Sequence, residues 1–264
     1  MLVDSHCHLD FDELAPDLGA VMQRAASAGI EAFVTISIRV REFERISAVT
    51  ARYENVYCSV GTHPHYADEE RDVTAAELVT LARHPKVVAI GESGLDTWLG
   101  HASWEAQLES FQAHIDAARE TQLPLVIHSV RQDAATAAIL QRESAKGGFP
   151  VVMHCFSGGA DLARVNLSLG HYISFSGLLT YPEHDNLREI ARWLPIDRIL
   201  VETDAPSLAP VPIQDQRNEP AHIHHVVRLL AELRGVGVDV IARETTKNFY
   251  RAFQRCAPPP QPVG

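Results

Sequence analysis

Positive charge, export signals and paired cysteines are all scarce in this chain, and each shortage removes a class of function. With 23 Lys and Arg against 34 Asp and Glu among 264 residues, the formal net charge is −11. That balance disfavours a large non-specific nucleic-acid surface, because such surfaces neutralise many phosphates with cationic side chains. A phosphate substrate remains compatible with it, since bound divalent cations can themselves supply positive charge to a carboxylate-rich pocket. No apolar run approaches the roughly 20 residues needed to cross a bilayer, and the N-terminus has no basic segment followed by a hydrophobic one. A soluble, cytoplasmic protein without a membrane partner is the expectation. Cys7, Cys58, Cys155 and Cys256 show no C-x-x-C spacing, so they are expected to be reduced thiols.

What the chain does carry begins five residues in, with His6-Cys7-His8 inside Val3-Asp4-Ser5-His6-Cys7-His8-Leu9-Asp10. Side chains of a strand alternate between faces, so histidines at i and i+2 point the same way and can grip one cation, while Cys7 between them turns aside. In a chain with 14 histidines such a pair alone is more often ordinary surface. Other strand ends strengthen it. Val87-Val88-Ala89-Ile90 leads to Glu92, Leu125-Val126-Ile127 to His128, Val151-Val152-Met153 to His154, and Ile199-Leu200-Val201 to Glu202-Thr203-Asp204. Five short aliphatic runs that all end in nitrogen or oxygen donors are hard to explain as unrelated turns and caps.

Strands alternate with helical patterns throughout, at 46% hydrophobic content, enough for a full core. Helices are expected over 14–28, 40–53, 73–83, 103–121, 132–143, 160–169, 185–193, 221–234 and 238–253. Eight strand and helix units in about 250 residues suit a single-domain (β/α)8 TIM barrel over residues 1–255, followed by a Pro-rich tail over 256–264. An open doubly wound sheet is the alternative. Closure is favoured because donors follow strands one, four, five, six and eight, and only a barrel brings all those ends to one mouth.

Six segments together resemble the TatD family of metal-dependent hydrolases: Asp4 to Asp10, Gly61-Thr62-His63-Pro64-His65, Gly91 to Asp96, His154-Cys155-Phe156-Ser157-Gly158, Glu202 to Pro206, and Arg217-Asn218-Glu219-Pro220. The likeness runs from the first strand to about Phe253. It implies a metal-dependent barrel of the amidohydrolase superfamily, often acting as a deoxyribonuclease. It further implies that His6, His8 and Asp204 hold one divalent ion, that Glu92 bridges to a second, and that His128 and His154 complete that second site. Imidazoles and carboxylates suit Zn²⁺, Mn²⁺ or Mg²⁺ and argue against a closed structural zinc site. Two such ions can share an activated water and steady the attacking and leaving oxygens of a phosphodiester. Asp204, touching ion and water together, is the natural proton acceptor, and Glu92 is the other residue expected to be catalytic.

Substrate contacts are expected from His63 and His65 after the third strand, from Arg131 three residues beyond His128, and from Arg217, Asn218 and Glu219. Each has an ordinary alternative: solvated turn histidines, a salt-bridge arginine, and capping groups ahead of a helix. Trp98 and Trp104 can stack on bases or simply cover the helix beneath them. Ser207 and Thr97 stand where members of the family often carry aromatics, which thins the wall available to a base.

Three functions follow. One is a divalent-metal phosphodiesterase trimming nucleic-acid ends in the 3′-5′ direction, acting as a monomer. Another is a metal hydrolase of a different ester or amide, including an aminoacyl-tRNA ester. The last is a catalytically idle binding barrel, against which the filled ligand positions weigh.

Overall fold

Short aliphatic runs separated by amphipathic segments fold into eight parallel strands, each followed by a helix. The computed structural model describes residues 1–256, so the Pro258-Pro259-Pro260 tail lies outside the described residues. The elements are β1 (Leu2–Cys7), α1 (Leu18–Ser27), β2 (Ile30–Thr35), α2 (Phe43–Arg52), β3 (Val56–Val60), α3 (Ala75–Leu81), β4 (Val87–Asp96), α4 (Trp104–Thr121) and β5 (Leu125–Val130). They continue with α5 (Asp133–Ser144), β6 (Val151–Met153), α6 (Ala160–Ser168), β7 (Tyr172–Phe175), α7 (Asp185–Trp193), β8 (Ile199–Val201), α8 (Ile223–Arg234) and α9 (Val238–Ala252). Strand order follows chain order, and each neighbouring pair from β1–β2 to β7–β8 is parallel. The fold is the expected (β/α)8 barrel.

The seam between β8 and β1 is closed by other means than a regular ladder. Asp204 N donates to His6 O at 2.9 Å, His8 N donates to Ala205 O at 2.8 Å, and Ser5 Oγ donates to Val201 O at 3.0 Å. The last and first strands are thereby locked where their donor-bearing residues lie.

Alternation along the strands sorts core from site. Val126, Val152 and Leu200 join an apolar cluster inside the barrel, and two positions further on, on the same face, stand His128, His154 and Glu202. Residues of the opposite parity, among them Leu125, Ile127, Val151, Met153, Ile199 and Val201, pack towards the helices. Phe249 and Phe253, at the end of α9, seal the interior from below beside Cys256; each ring contributes about 3 kcal/mol of apolar burial. Cys7 is fully buried among the outward residues, turned from the mouth as alternation requires, and its Sγ lies 3.6 Å from Val34 O. All four cysteines are free.

Boundaries differ from expectation where backbone geometry intervenes. The spans expected from 14, 40 and 221 open as 3-10 turns at Ala15–Asp17, Val40–Glu42 and Pro220–His222 before the α-helix begins. The expected 73–83 helix shortens to α3, whose start is set by Thr74 accepting from Glu77 N at 3.2 Å. β4 does not stop at Ile90. It bends between Ile90 and Ser93 and then pairs Gly94 with His128 and Asp96 with Val130. Gly94 makes this possible. At φ +148° it lies so near β5 that a Cβ there would sit 1.9 Å from His128 O.

Candidate metal centre

The mouth gathers side chains from β1, β4, β5, β6 and β8 into one continuous cluster. On one side His6 Nε2 lies 3.3 Å from His8 Nε2, 3.4 Å from Asp204 Oδ1 and 3.5 Å from Glu92 Oε2; His8 Nε2 is 3.3 Å from the same Asp204 oxygen. On the other side Glu92 Oε1 is 2.9 Å from His128 Nδ1 and 2.7 Å from His154 Nε2, and those two nitrogens are 3.2 Å apart. The Glu92 carboxylate thus stands between two groups of imidazoles with one oxygen towards each. All six residues expected as ligands meet here.

Ring tautomers test whether a cation fits. His8 Nδ1 is 3.1 Å from the carbonyl of Ile36, which can only accept, so Nδ1 carries the proton and Nε2 offers a lone pair to the cluster. His128 Nε2 lies 3.0 Å from Asp96 Oδ2 and donates to it, leaving Nδ1 to face Glu92 and His154. Lone pairs and carboxylate oxygens that converge within 3.5 Å repel one another unless a proton or a cation lies among them. The donor set of neutral imidazoles and carboxylates is that of Zn²⁺, Mn²⁺ or related divalent ions.

Electrostatics agree with this reading. Burial alone would raise Glu92, but the surrounding imidazoles, His154 foremost, hold it well below the ordinary carboxylate range. Burial opposes the charge on His154 and His128, yet carboxylates raise both: Glu92 and Glu202 raise His154 strongly, and Asp96 and Glu92 raise His128. Asp204 is held low by His8 and His6 against its own burial. Burial opposes charge on His8 as well, and the Asp204 carboxylate raises it, whereas burial together with the neighbouring His154 holds His6 below the ordinary histidine range.

Several residues that hold the clustered side chains in place escape a reading of the sequence alone. Asp96 accepts from His128 Nε2 at 3.0 Å, from His65 Nε2 at 2.8 Å and from Trp98 N at 2.7 Å. Glu202 is fully buried; its Oε1 accepts from Cys155 N at 2.5 Å and lies 3.3 Å from His154 Nδ1. Two imidazoles of the cluster therefore have carboxylates behind them, the arrangement that orients metal-binding histidines. Asp4 accepts from Thr203 N at 3.0 Å and Thr203 Oγ1 at 2.5 Å, fastening the loop that carries Asp204. Period-two alternation from Leu200 was the signal for Glu202; Asp96 was hidden because β4 was expected to end at Ile90.

The remaining expected site residues divide. His63 joins the cluster: its Nδ1 accepts from His65 N at 3.1 Å, so the neutral ring presents Nε2–H to Glu92 Oε1 at 3.5 Å. Burial keeps that ring neutral, well below the usual histidine range. His65 reaches the centre through Asp96. Arg131 is exposed, its guanidinium carbon 5.0 Å from the Trp98 ring centroid. The last three have partners within the protein. Arg217 forms a two-pronged bond to Asp17 at 2.7 and 2.9 Å, and Glu219 holds Arg24 at 2.6 to 3.0 Å. Asn218 Nδ2 donates to Thr203 O at 2.9 Å and Ser207 O at 2.7 Å, so it braces the Asp204 loop.

The family described as TatD related DNase matches residues 3–254. The chain belongs to the TatD family. Among curated relatives, the uncharacterized metal-dependent hydrolase YcfH of Escherichia coli K12 is 39% identical over 257 residues, covering 96% of this chain and 95% of its own. The uncharacterized metal-dependent hydrolase TatD of Mycobacterium tuberculosis is 37% identical over 259 residues, covering 96% and 97%. The crystal structure of YJJV, a TatD homolog from E. coli K12, superposes with a TM-score of 0.90 at 33% identity and covers 97% of this chain and 98% of its own. Family membership and donor chemistry together identify a metal-dependent hydrolase. Phe249 and Phe253 pack in the barrel interior with Val126, Val152 and Leu200, away from the donor cluster.

Proposed function

We propose that this protein is a divalent-metal phosphodiesterase of the deoxyribonuclease type, trimming single strands from the 3′ end at a dinuclear centre. The observation that carries the reading is the position of Glu92, one carboxylate oxygen towards His6 and the other towards His128 and His154. One ion would be held by His6, His8, Asp204 and Glu92, and a second by Glu92, His128 and His154. Ions bound there supply Lewis acidity and bring the pKa of a coordinated water towards neutrality.

The chain's own residues do the rest. Asp204 stays ionised because His8 and His6 face it, and its side chain is partly open to the mouth, so it can accept a proton from an attacking water. Asp96 and Glu202 keep His128 and His154 oriented. His63, neutral with Nε2–H towards Glu92, offers a donor to a substrate oxygen that enters beside that carboxylate. A net charge of −11, with Arg39 and Arg217 at the mouth already paired to Glu69 and Asp17, suits a strand end better than an intact duplex.

The test is digestion of end-labelled single-stranded, blunt duplex and covalently closed circular DNA by metal-loaded protein over a range of salt, beside small phosphodiesters and esters. Stepwise shortening of single strands from the 3′ end is expected, with a shallow salt dependence reflecting few neutralised phosphates. Rapid cutting of closed circles, or hydrolysis confined to carboxylic esters or amides, would overturn the reading.

A further inference from the structure

We propose that Trp98 and Arg131 form a subsite for one nucleoside phosphate at the rim of the centre, the base stacking on the indole and the phosphate meeting the guanidinium; this rests on the phosphodiesterase reading above. Trp98 lies in the loop between β4 and α4, and Arg131 directly follows β5. The loop of Trp98 is anchored to the centre, and the loop of Arg131 is tied to that of Trp98. Trp98 N donates to one oxygen of Asp96, whose other oxygen accepts from His128. Gln132 Nε2 donates to Thr97 Oγ1 at 2.6 Å, tying the same two loops together.

An indole 61% exposed, with Leu99 beside it 60% exposed, leaves apolar surface in water next to a polar centre. A plain cover for an arginine would look different, and the molecule contains the comparison. Trp193 also stacks with an arginine, Arg164, on the outer helices at 5.5 Å, but Arg164 is neutralised by Asp161 at 3.0 Å. At the mouth Arg39 is paired with Glu69 and Arg217 with Asp17. Arg131 has no carboxylate partner among the described residues; its contact is the ring of Trp98. Its backbone is held at φ +57°, a left-handed conformation that non-glycine residues seldom adopt and that recurs at ligand sites. Asp204, in the cluster itself, shares that conformation at φ +58°.

An unpaired guanidinium stacked on an exposed indole matches two features that a nucleotide carries together, an anionic phosphate and a flat π-face. Every base has that face, so the subsite would tolerate sequence while favouring an unpaired end over a stacked duplex. A sugar phosphate without a base would engage only Arg131.

Calorimetric titration of metal-loaded protein with deoxyadenosine 5′-monophosphate and with deoxyribose 5-phosphate separates the two contributions. Wild type should bind the nucleotide more tightly by roughly 5- to 150-fold. Trp98→Ala should abolish that advantage, while Arg131→Gln should weaken both ligands alike, by roughly tenfold. Metal content and thermal unfolding of both variants should match wild type, since both side chains are exposed. Equal affinity of wild type for the two ligands, or an advantage surviving in Trp98→Ala, overturns the subsite whether or not DNA is cleaved. The expected binding pattern in a wild type that cleaves no DNA overturns the nuclease reading and leaves the subsite standing.

Discussion

Exchanging Asp96 for Asn alters one atom of the side chain and should disable half of the proposed dinuclear centre. Asp96 accepts three hydrogen bonds, from Trp98 N on Oδ1 and from His65 and His128 on Oδ2. An amide cannot serve both sides, because one oxygen becomes a donor. If its oxygen keeps Trp98 N, the NH₂ confronts His128 Nε2–H, and relief comes from moving the ring proton to Nδ1. That nitrogen, 2.9 Å from Glu92 and 3.2 Å from His154, then presents a proton where a ligand lone pair is required. Loss of such an outer partner typically lowers metal affinity 10- to 100-fold, or about 1.4–2.7 kcal/mol. Zn²⁺ titration against a chromophoric chelator should show one ion held as in wild type and a second weakened by that factor. Nitrogen-15 spectra of the histidine rings should report the exchanged tautomer at His128. Two ions bound with wild-type affinity, and an unchanged His128 Nε2–H signal, would refute the reasoning.

Asp204→Asn keeps shape and one oxygen but removes the proton acceptor, so turnover of a phosphodiester should fall about 10²- to 10⁴-fold with substrate affinity nearly retained; stopped assays with matched binding titrations check this. Gly94→Ala places a Cβ 1.9 Å from His128 O at φ +148°, adding strain and overpacking of about 1–3 kcal/mol each; a urea midpoint equal to wild type would contradict the close packing of β4 on β5. His114 and His171 are buried, and burial holds both rings down at about 4 against an ordinary 6.5. The unfolded chain takes up protons first as pH falls, so stability is complete above pH 6.5, drains between 6.5 and about 4, and levels off below, at about 3 kcal/mol per ring. His114→Gln should flatten that slope in urea titrations across pH, whereas an unchanged slope would show that His114 does not carry it.

Period-two alternation made the strand ends readable, and spacing near 3.6 made the helices readable, because both are properties of a few consecutive residues. His128, His154 and Asp204 could therefore be named before any fold was known. β4 looks shorter in the sequence because Gly91 and Gly94 resemble a turn, and only pairing with β5 reveals that the strand runs on to Asp96. For the same reason the roles of Asp96 and Glu202 were out of reach: each acts on a histidine from a different strand, 32 and 48 residues away in Asp96–His128 and Glu202–His154. Arg217, Asn218 and Glu219 show the reverse. Their types suited a substrate, but Asp17, Thr203 and Arg24, distant in sequence, are what they bind. The sequence by itself determined how many units the barrel has and which donors stand at its strand ends. Tertiary structure alone decided which nitrogen each ring presents and which charges remain unpaired, because hydrogen bonds at the mouth join loops that only closure of the barrel brings together.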